Sequence, residues 1–270
     1  MQLDPTARAA GARLITHDTI GSTNAEALRL ARDGERGPLW IVAKTQTAGR
    51  GRRGRTWVSE PGNLYASLLL TDPAAPERCP ELSFVAALAL HDAVGGRIPG
   101  LAARLVLKWP NDLLIDRNKF AGILVEGEGT AVAIGIGVNC VHHPDRTETP
   151  ATDLASAGVR TSPESLFAPL SGAMATRLAQ WDRGAGFGAI RADWRARASR
   201  RGSASRRARL SFPANSMASM RLAAWFFASP MGQCRPWRRA TCFWRRGKRR
   251  WPVRRASSCS RRSAASARSA

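Results

Sequence analysis

Between Ala25 and Gly34, apolar side chains fall at Ala27, Leu28, Leu30 and Ala31, the one-sided spacing of an amphipathic helix. Ser22-Thr23-Asn24-Ala25-Glu26 opens it, with Thr23 and Glu26 at capping-box spacing, and Gly34 closes it. Leu39 to Thr45 and Leu64 to Leu70 are β-rich runs. A long helix is expected from about Glu81 to Val94, with Leu82, Val85, Leu88 and Ala89 on one face and Gly95-Gly96 as its stop. Strands follow at Arg104 to Lys108, Leu113 to Asp116, Ala121 to Glu126 and Ala131 to Asn139. Ser162-Pro163-Glu164 starts a further helix that runs to about Trp181, and another covers Phe187 to Arg197. The strands come in runs joined by short turns such as Gly127-Glu128-Gly129. That predicts an α+β fold: a mixed, largely antiparallel sheet flanked by helices, rather than a strict βαβ array.

Charge divides the chain. The net charge of +22 over 270 residues points at first to nucleic acid or an anionic surface. Of the 42 Lys and Arg, however, 19 lie in residues 199–270, where there is no Asp or Glu. The 23 basic residues before them face all 20 carboxylates, so residues 1–198 carry only +3. Beyond residue 198 the chain is rich in Arg and Ser and holds Trp225, Trp237, Trp244 and Trp251, with no strand-like alternation. Disordered tails are poor in aromatics, and this segment is not. Its composition is that of GC-rich coding DNA read out of frame, with the change of frame near residues 198–202. A basic tail that binds single-stranded RNA through interleaved aromatics is the alternative. The expected organisation is a domain over 1–198 followed by an irregular, aberrant basic tail over 199–270.

The N-terminus has no signal-like apolar run, since Asp4 and Arg8 interrupt it, and no stretch reaches membrane-spanning length. Cys79, Cys140, Cys234, Cys242 and Cys259 show no Cys-x-x-Cys spacing, which fits free thiols in a reducing cytoplasm. His142-His143, adjacent and followed by Pro144, make a poor chelate, so no structural metal is expected.

Chemistry concentrates in two blocks. Gly49 to Arg55 reads Gly-Arg-Gly-Arg-Arg-Gly-Arg, preceded by Thr45-Gln46-Thr47-Ala48 and followed by Thr56-Trp57. Glycines interleaved with arginines suit a loop whose amides and guanidinium forks close on an anion. Some fifty residues on come Lys108-Trp109-Pro110-Asn111-Asp112 and then Lys119-Phe120-Ala121-Gly122-Ile123-Leu124-Val125-Glu126. This ordered pair resembles the catalytic core of the biotin–protein ligases (biotin–acetyl-CoA-carboxylase ligases), over roughly Leu14 to Trp194.

The resemblance implies the fold shared by biotin ligases, lipoate ligases and class II aminoacyl-tRNA synthetases. It also implies a two-step reaction: biotin and ATP give biotinyl-5′-AMP and pyrophosphate, and a lysine of a biotin carboxyl carrier protein then takes the biotinyl group. Such a site needs fixed cations and donors more than acids and bases. By the same resemblance, Lys119, Arg50 and Arg52 are the catalytic cations. Biotin is contacted by Ser22, Thr23, Asn24, Gln46, Arg50, Gly51, Arg52, Lys119 and Gly122. ATP and the adenylate fall to Trp57, Asn111, Asp112, Gly137 and Asn139, with Asp112 a partner for the Mg²⁺ that accompanies ATP. Plain alternatives stand beside these: Lys119 as a surface lysine, Asn111-Asp112 as a self-bonded turn, Gly135-Ile136-Gly137-Val138-Asn139 as a simple β-turn.

The few residues before Ser22 are too short for the DNA-binding domain of repressor relatives, so no operator binding is expected. The tail stands where the family continues with a small β-barrel, which leaves a decayed or impaired ligase as one alternative. A lipoate–protein ligase is the runner-up within the superfamily, and it lacks the pairing of these two blocks. A nucleic-acid-binding protein acting through the tail is the alternative of a different class. The expected setting is the cytoplasm, and the oligomeric state stays open, a homodimer included.

Overall fold

The structure is a computed structural model and describes residues 1–145, 147 and 150–198. The expectations made for residues 199–270 lie outside the described residues.

A short helix α1 (Pro5–Ala9) precedes strand β1 (Arg13–Ile20), helix α2 (Thr23–Arg32) and strand β2 (Leu39–Gln46). Strand β3 (Leu64–Thr71) leads to helix α3 (Leu82–Gly95) and the single turn α4 (Leu101–Arg104). A meander follows: β4 (Leu105–Lys108), β5 (Asp112–Ile115), β6 (Asn118–Glu128) and β7 (Ala131–Val138). Helices α5 (Pro163–Trp181) and α6 (Phe187–Arg197) complete the described fold. All seven strands form one sheet in the order β1-β2-β3-β7-β6-β5-β4. Only β1 and β2 run parallel, joined by the crossover helix α2. The remaining pairs are antiparallel, as expected, but Gly127 and Glu128 extend β6 and only Gly129-Thr130 turn.

Alternation sorts the strand residues between two unequal faces. Trp40 and Val42 of β2, with Leu64, Ala66 and Leu68 of β3, enter the main core, which also takes in Val85 and Leu88 of α3 and Phe167 and Leu170 of α5. On the other face Leu39, Ile41, Leu69, Ala131 and Ala133 pack under Ala27 of α2. Helix α2 covers only part of that face, and the cavity lies beyond its N-terminus.

Two local expectations are corrected. Ser22, not Thr23, caps α2: its hydroxyl accepts from Ala25 N at 3.5 Å. Glu26 does not reach back to close a box but pairs with Arg29, at 2.7 Å. Arg104 ends the turn α4 rather than opening β4. By contrast, Ser162 and Ser165 exchange backbone–hydroxyl bonds at the start of α5, with Pro163 as the first helical residue. The edge strand β1 is an element the hydrophobic pattern does not announce.

Candidate functional site

The cavity measures about 430 Å³ and opens on the α2 side of the sheet. Its floor comes from strand register. Tyr65 of β3 is opposite Gly137 of β7, Gly137 is opposite Gly122 of β6, and Gly122 is opposite Asp112 of β5. Two glycines side by side leave a flat slot, and the Trp57 indole lies in it. A Cβ on Gly137 would come within 2.6 Å of that ring, and one on Gly122 within 2.9 Å. One row along β7, a Cβ on Gly135 would meet Asn24 Oδ1 at 2.5 Å.

One wall is polar. Gln46 Oε1 accepts from Thr23 N at 2.8 Å and from the Thr23 hydroxyl at 3.1 Å. Gln46 Nε2 donates to Ser59 Oγ at 2.9 Å. Buried Ser67 donates to Asn24 Oδ1 at 2.6 Å, and its oxygen lies 2.7 Å from Thr23 Oγ1. Asn24 Nδ2 in turn donates to Glu126 Oε2 at 2.8 Å. The start of α2 is thus both a helix cap and a rigid array of donors and acceptors.

The other wall is cationic. The Gly-Arg loop folds as a tight hairpin: Gly51 N donates to Arg55 O at 2.7 Å, and Trp57 N to Gly49 O at 3.0 Å. Only glycine fits at position 49, because a Cβ there would stand 2.4 Å from Trp57 O. Arg50 latches this hairpin to β6 through Glu126 Oε2, at 3.0 Å. Arg52 turns inward and donates to Asn111 Oδ1 at 3.3 Å. Burial and the neighbouring Arg53 push its guanidinium below the ordinary pKa, the mark of a cation held where water compensates it poorly. Lys119 Nζ lies 2.7 Å from Asp112 Oδ1, an ion pair whose approach is not aligned as a hydrogen bond. The same ammonium stands 5.3 Å from the Trp57 ring centroid. Trp57 Nε1 is buried with no hydrogen-bond partner, a donor left for a ligand in this cavity.

The structure places all fourteen candidate residues on this one cavity: Ser22, Thr23, Asn24, Gln46, Arg50, Gly51, Arg52, Trp57, Asn111, Asp112, Lys119, Gly122, Gly137 and Asn139. Some carry structural duties as well. Asn139 Nδ2 donates to Thr152 O at 3.0 Å, and Asn111 Nδ2 to Ile123 O at 2.8 Å. Gly135 and the wall formed by Pro144, Thr147 and Ala151, together with Glu126, which holds Asn24 and Arg50 from behind, were not among the candidate residues read from sequence. Gly135 was legible in the Gly-x-Gly spacing. The others depend on pairing across the sheet and on a loop without periodicity. Among the described residues no group of three His, Cys, Asp or Glu is arranged to hold a metal ion.

A mixed sheet carrying a glycine-floored, cation-walled cavity has the layout of a protein that binds an anionic ligand. The sequence pattern of the biotin/lipoate A/B protein ligase family matches residues 18–140. Over 192 residues the chain is 46% identical to the biotin–acetyl-CoA-carboxylase ligase of Paracoccus denitrificans, covering 67% of this chain and 79% of that one. The biotin protein ligase of Leishmania major in complex with biotinyl-5-AMP superposes with a TM-score of 0.61 at 27% identity, over 74% of this chain and 85% of the other. That of Aquifex aeolicus in complex with biotin and ATP gives 0.58 at 27% identity, over 69% and 78%. The chain belongs to the biotin/lipoate A/B protein ligase family, among its biotin–protein ligases.

Proposed function

We propose that this cavity activates biotin with ATP and passes the biotinyl group to a lysine of the carrier domain of acetyl-CoA carboxylase. The observation that carries the reading is the convergence of Lys119 and Arg52 on a cavity whose opposite wall is the fixed donor–acceptor array of Thr23, Asn24 and Gln46. Biotin's ureido ring needs paired donors and acceptors, which that wall supplies. Its carboxylate then lies toward the cations. In the first step a carboxylate oxygen attacks the α-phosphorus of ATP, and the bond to the β-phosphate oxygen breaks to release pyrophosphate. Two anions must meet, and Lys119 and Arg52 offset their repulsion without reorganising. Asp112 stands against the Lys119 ammonium at 2.7 Å, and an arriving anion competes for that same ammonium. In the second step the carrier lysine amine attacks the acyl carbon, AMP leaves, and the amine's proton passes to solvent.

Trp57, over the two glycines, covers the reacting atoms, and its unpartnered N–H is a donor to the adenylate. Mg²⁺ enters with the nucleotide, and Asp112, whose Oδ1 has no hydrogen-bond partner, is the carboxylate of this cavity that would face it once an anion has drawn Lys119 away. The catalytic domain spans residues 1–198. The setting proposed is the cytoplasm; among the described residues no helix is long and apolar enough to cross a membrane. The test is transfer: full-length protein, biotin, ATP and an isolated biotin carboxyl carrier domain should give a carrier detected by streptavidin. Absence of label with ATP present, at any carrier concentration, contradicts the reading.

A further inference from the structure

The segment Pro150–Leu154 runs beside Lys119 as a strap. Lys119 N donates to Pro150 O at 2.7 Å, and Thr152 N donates to Lys119 O at 2.9 Å. Both backbone groups of the lysine thus bond the strap, while on its other side Lys119 stands opposite Leu114 of β5. The β5–β6 register shifts between Leu113 and Leu114, next to this position, so the neighbouring strand alone does not fix Lys119. The strap is tied in turn to the end of β7, by Asn139 Nδ2 to Thr152 O and by Leu154 N to Asn139 O, each 3.0 Å.

Asp153 sits within this strap at 2% exposure. Its carboxylate accepts from Ser156 N at 2.6 Å, from the Ser156 hydroxyl at 3.0 Å and from His143 Nδ1 at 2.6 Å. Burial pushes its pKa up, but the bonds from Ser156 and His143 outweigh that and hold it below the ordinary carboxylate value. An ionised carboxylate only accepts, so His143 Nδ1 carries the proton in this contact. Capping the turn at Ser156 needs no charge, since a hydroxyl at position 153 serves that purpose. Burying a carboxylate is costly unless it is paired. The bond to His143, ten residues back, is what a neutral cap would not provide. Between the two ends of this clasp lie Pro144, Thr147 and Ala151, which line the cavity.

We propose that Asp153 and His143 are positioning residues for the activation step: their clasp holds the strap against Lys119 and so sets where the ammonium points. The proposal rests on the ligase reading for its consequence in rate, but not for the clasp itself. Two measurements on the full chain separate these. The first is amide hydrogen exchange at Lys119 and Thr152, in the wild type, His143→Ala and His143→Asn. Asn keeps an N–H donor close to the Nδ1 position. His143→Ala should exchange both amides about tenfold faster or more, and His143→Asn should restore protection. Unchanged protection in His143→Ala overturns the clasp, whatever the enzyme's activity. The second is biotin-dependent ATP–pyrophosphate exchange. His143→Ala should lower kcat by roughly tenfold with the KM for biotin within about twofold, and His143→Asn should recover most of it. Faster amide exchange with unaltered kcat would make the clasp merely structural and overturn the positioning role. A wild type silent in pyrophosphate exchange would sink the ligase reading instead, while amide exchange still decides the clasp. Asp153→Asn is a supporting variant, and the His143 pair carries the test if it fails to fold.

Discussion

At the scale of single residues, the site works by placing charge rather than by titrating it. Lys119 is bracketed by a carboxylate on one side and an indole face on the other, so its ammonium has a defined place before any anion arrives. Lys119→Ala should lower biotin-dependent pyrophosphate exchange by about 10²–10³, the usual cost of deleting a fixed electrostatic donor. Steady-state assays with a variant of wild-type thermal stability check this, and near-normal turnover would refute the assignment. Gly137→Ala drives a Cβ into a rigid ring at 2.6 Å, so Trp57 has to move. Overpacking of this kind costs about 1–3 kcal/mol. A denaturation midpoint and an exchange rate both at wild-type values would show that the slot is looser than the geometry says.

Thiol chemistry gives a third check at this scale. Burial pushes the Cys140 thiol up to about 12 and raises that of Cys79 as well. Alkylation at pH 8 followed by peptide mapping should find both unmodified in the native protein and modified only after denaturation. The candidate positions at this scale were legible through the resemblance carried by the two blocks in register with each other, since a basic glycine-rich loop alone has many uses. Two things were not. Gly122 and Gly137 become one slot only through β6–β7 register, and the Asp153–His143 clasp joins residues of an aperiodic loop.

At the scale of elements, the folding pattern explains where the site can form. Strand β7 alternates large residues into the main core and Ala131, Ala133, Gly135 and Gly137 to the opposite face. Its second face thins out toward the cavity: Ala131 and Ala133 pack with Ala27 of α2, and Gly135 faces Asn24 at the start of that helix. The hydrophobic pattern gave most of the helices and central strands to within a residue or two, since both faces of a central strand are buried. It missed β1, an edge strand paired to β2 alone, whose outer positions face solvent and blur the alternation.

Trp109 of the second block, though partly exposed, packs one face against aromatic rings. It lies 5.3 Å from Phe84 of α3 and 6.2 Å from Trp194 of α6, ring centre to ring centre. The pair of contacts ties the turn bearing Asn111 and Asp112 to two helices. Trp109→Ala should cost roughly 1–3 kcal/mol, at ~0.5–1.5 for each ring pair. It should also weaken ATP more than biotin. A urea midpoint unchanged by the substitution would contradict this.

At the scale of the whole molecule, carboxylates held below their ordinary pKa set the acid limit. Asp92 is half-buried, which raises it, but bonds from His91 and Arg177 outweigh this, and the buried Asp153 is depressed in the same way. For a depressed carboxylate the stabilisation is fully present above the unfolded-state value, ordinarily 3.8, and is lost as pH falls through the lower folded value. Stability measured by urea should therefore hold from pH 7 to about 5 and fall below about 4. A midpoint that rises on acidification would reverse the sign of this argument. The overall charge says little about residues 1–198, which carry only +3 while 199–270 carry +19 of the net +22.

The central claim is that one cavity adenylates biotin. Its most direct test is exchange of labelled pyrophosphate into ATP by the full chain, with biotin as the acid and lipoate as the control. Exchange that depends on biotin and is at least tenfold weaker with lipoate is the predicted result. Exchange with lipoate and not biotin, or with neither acid, would contradict it.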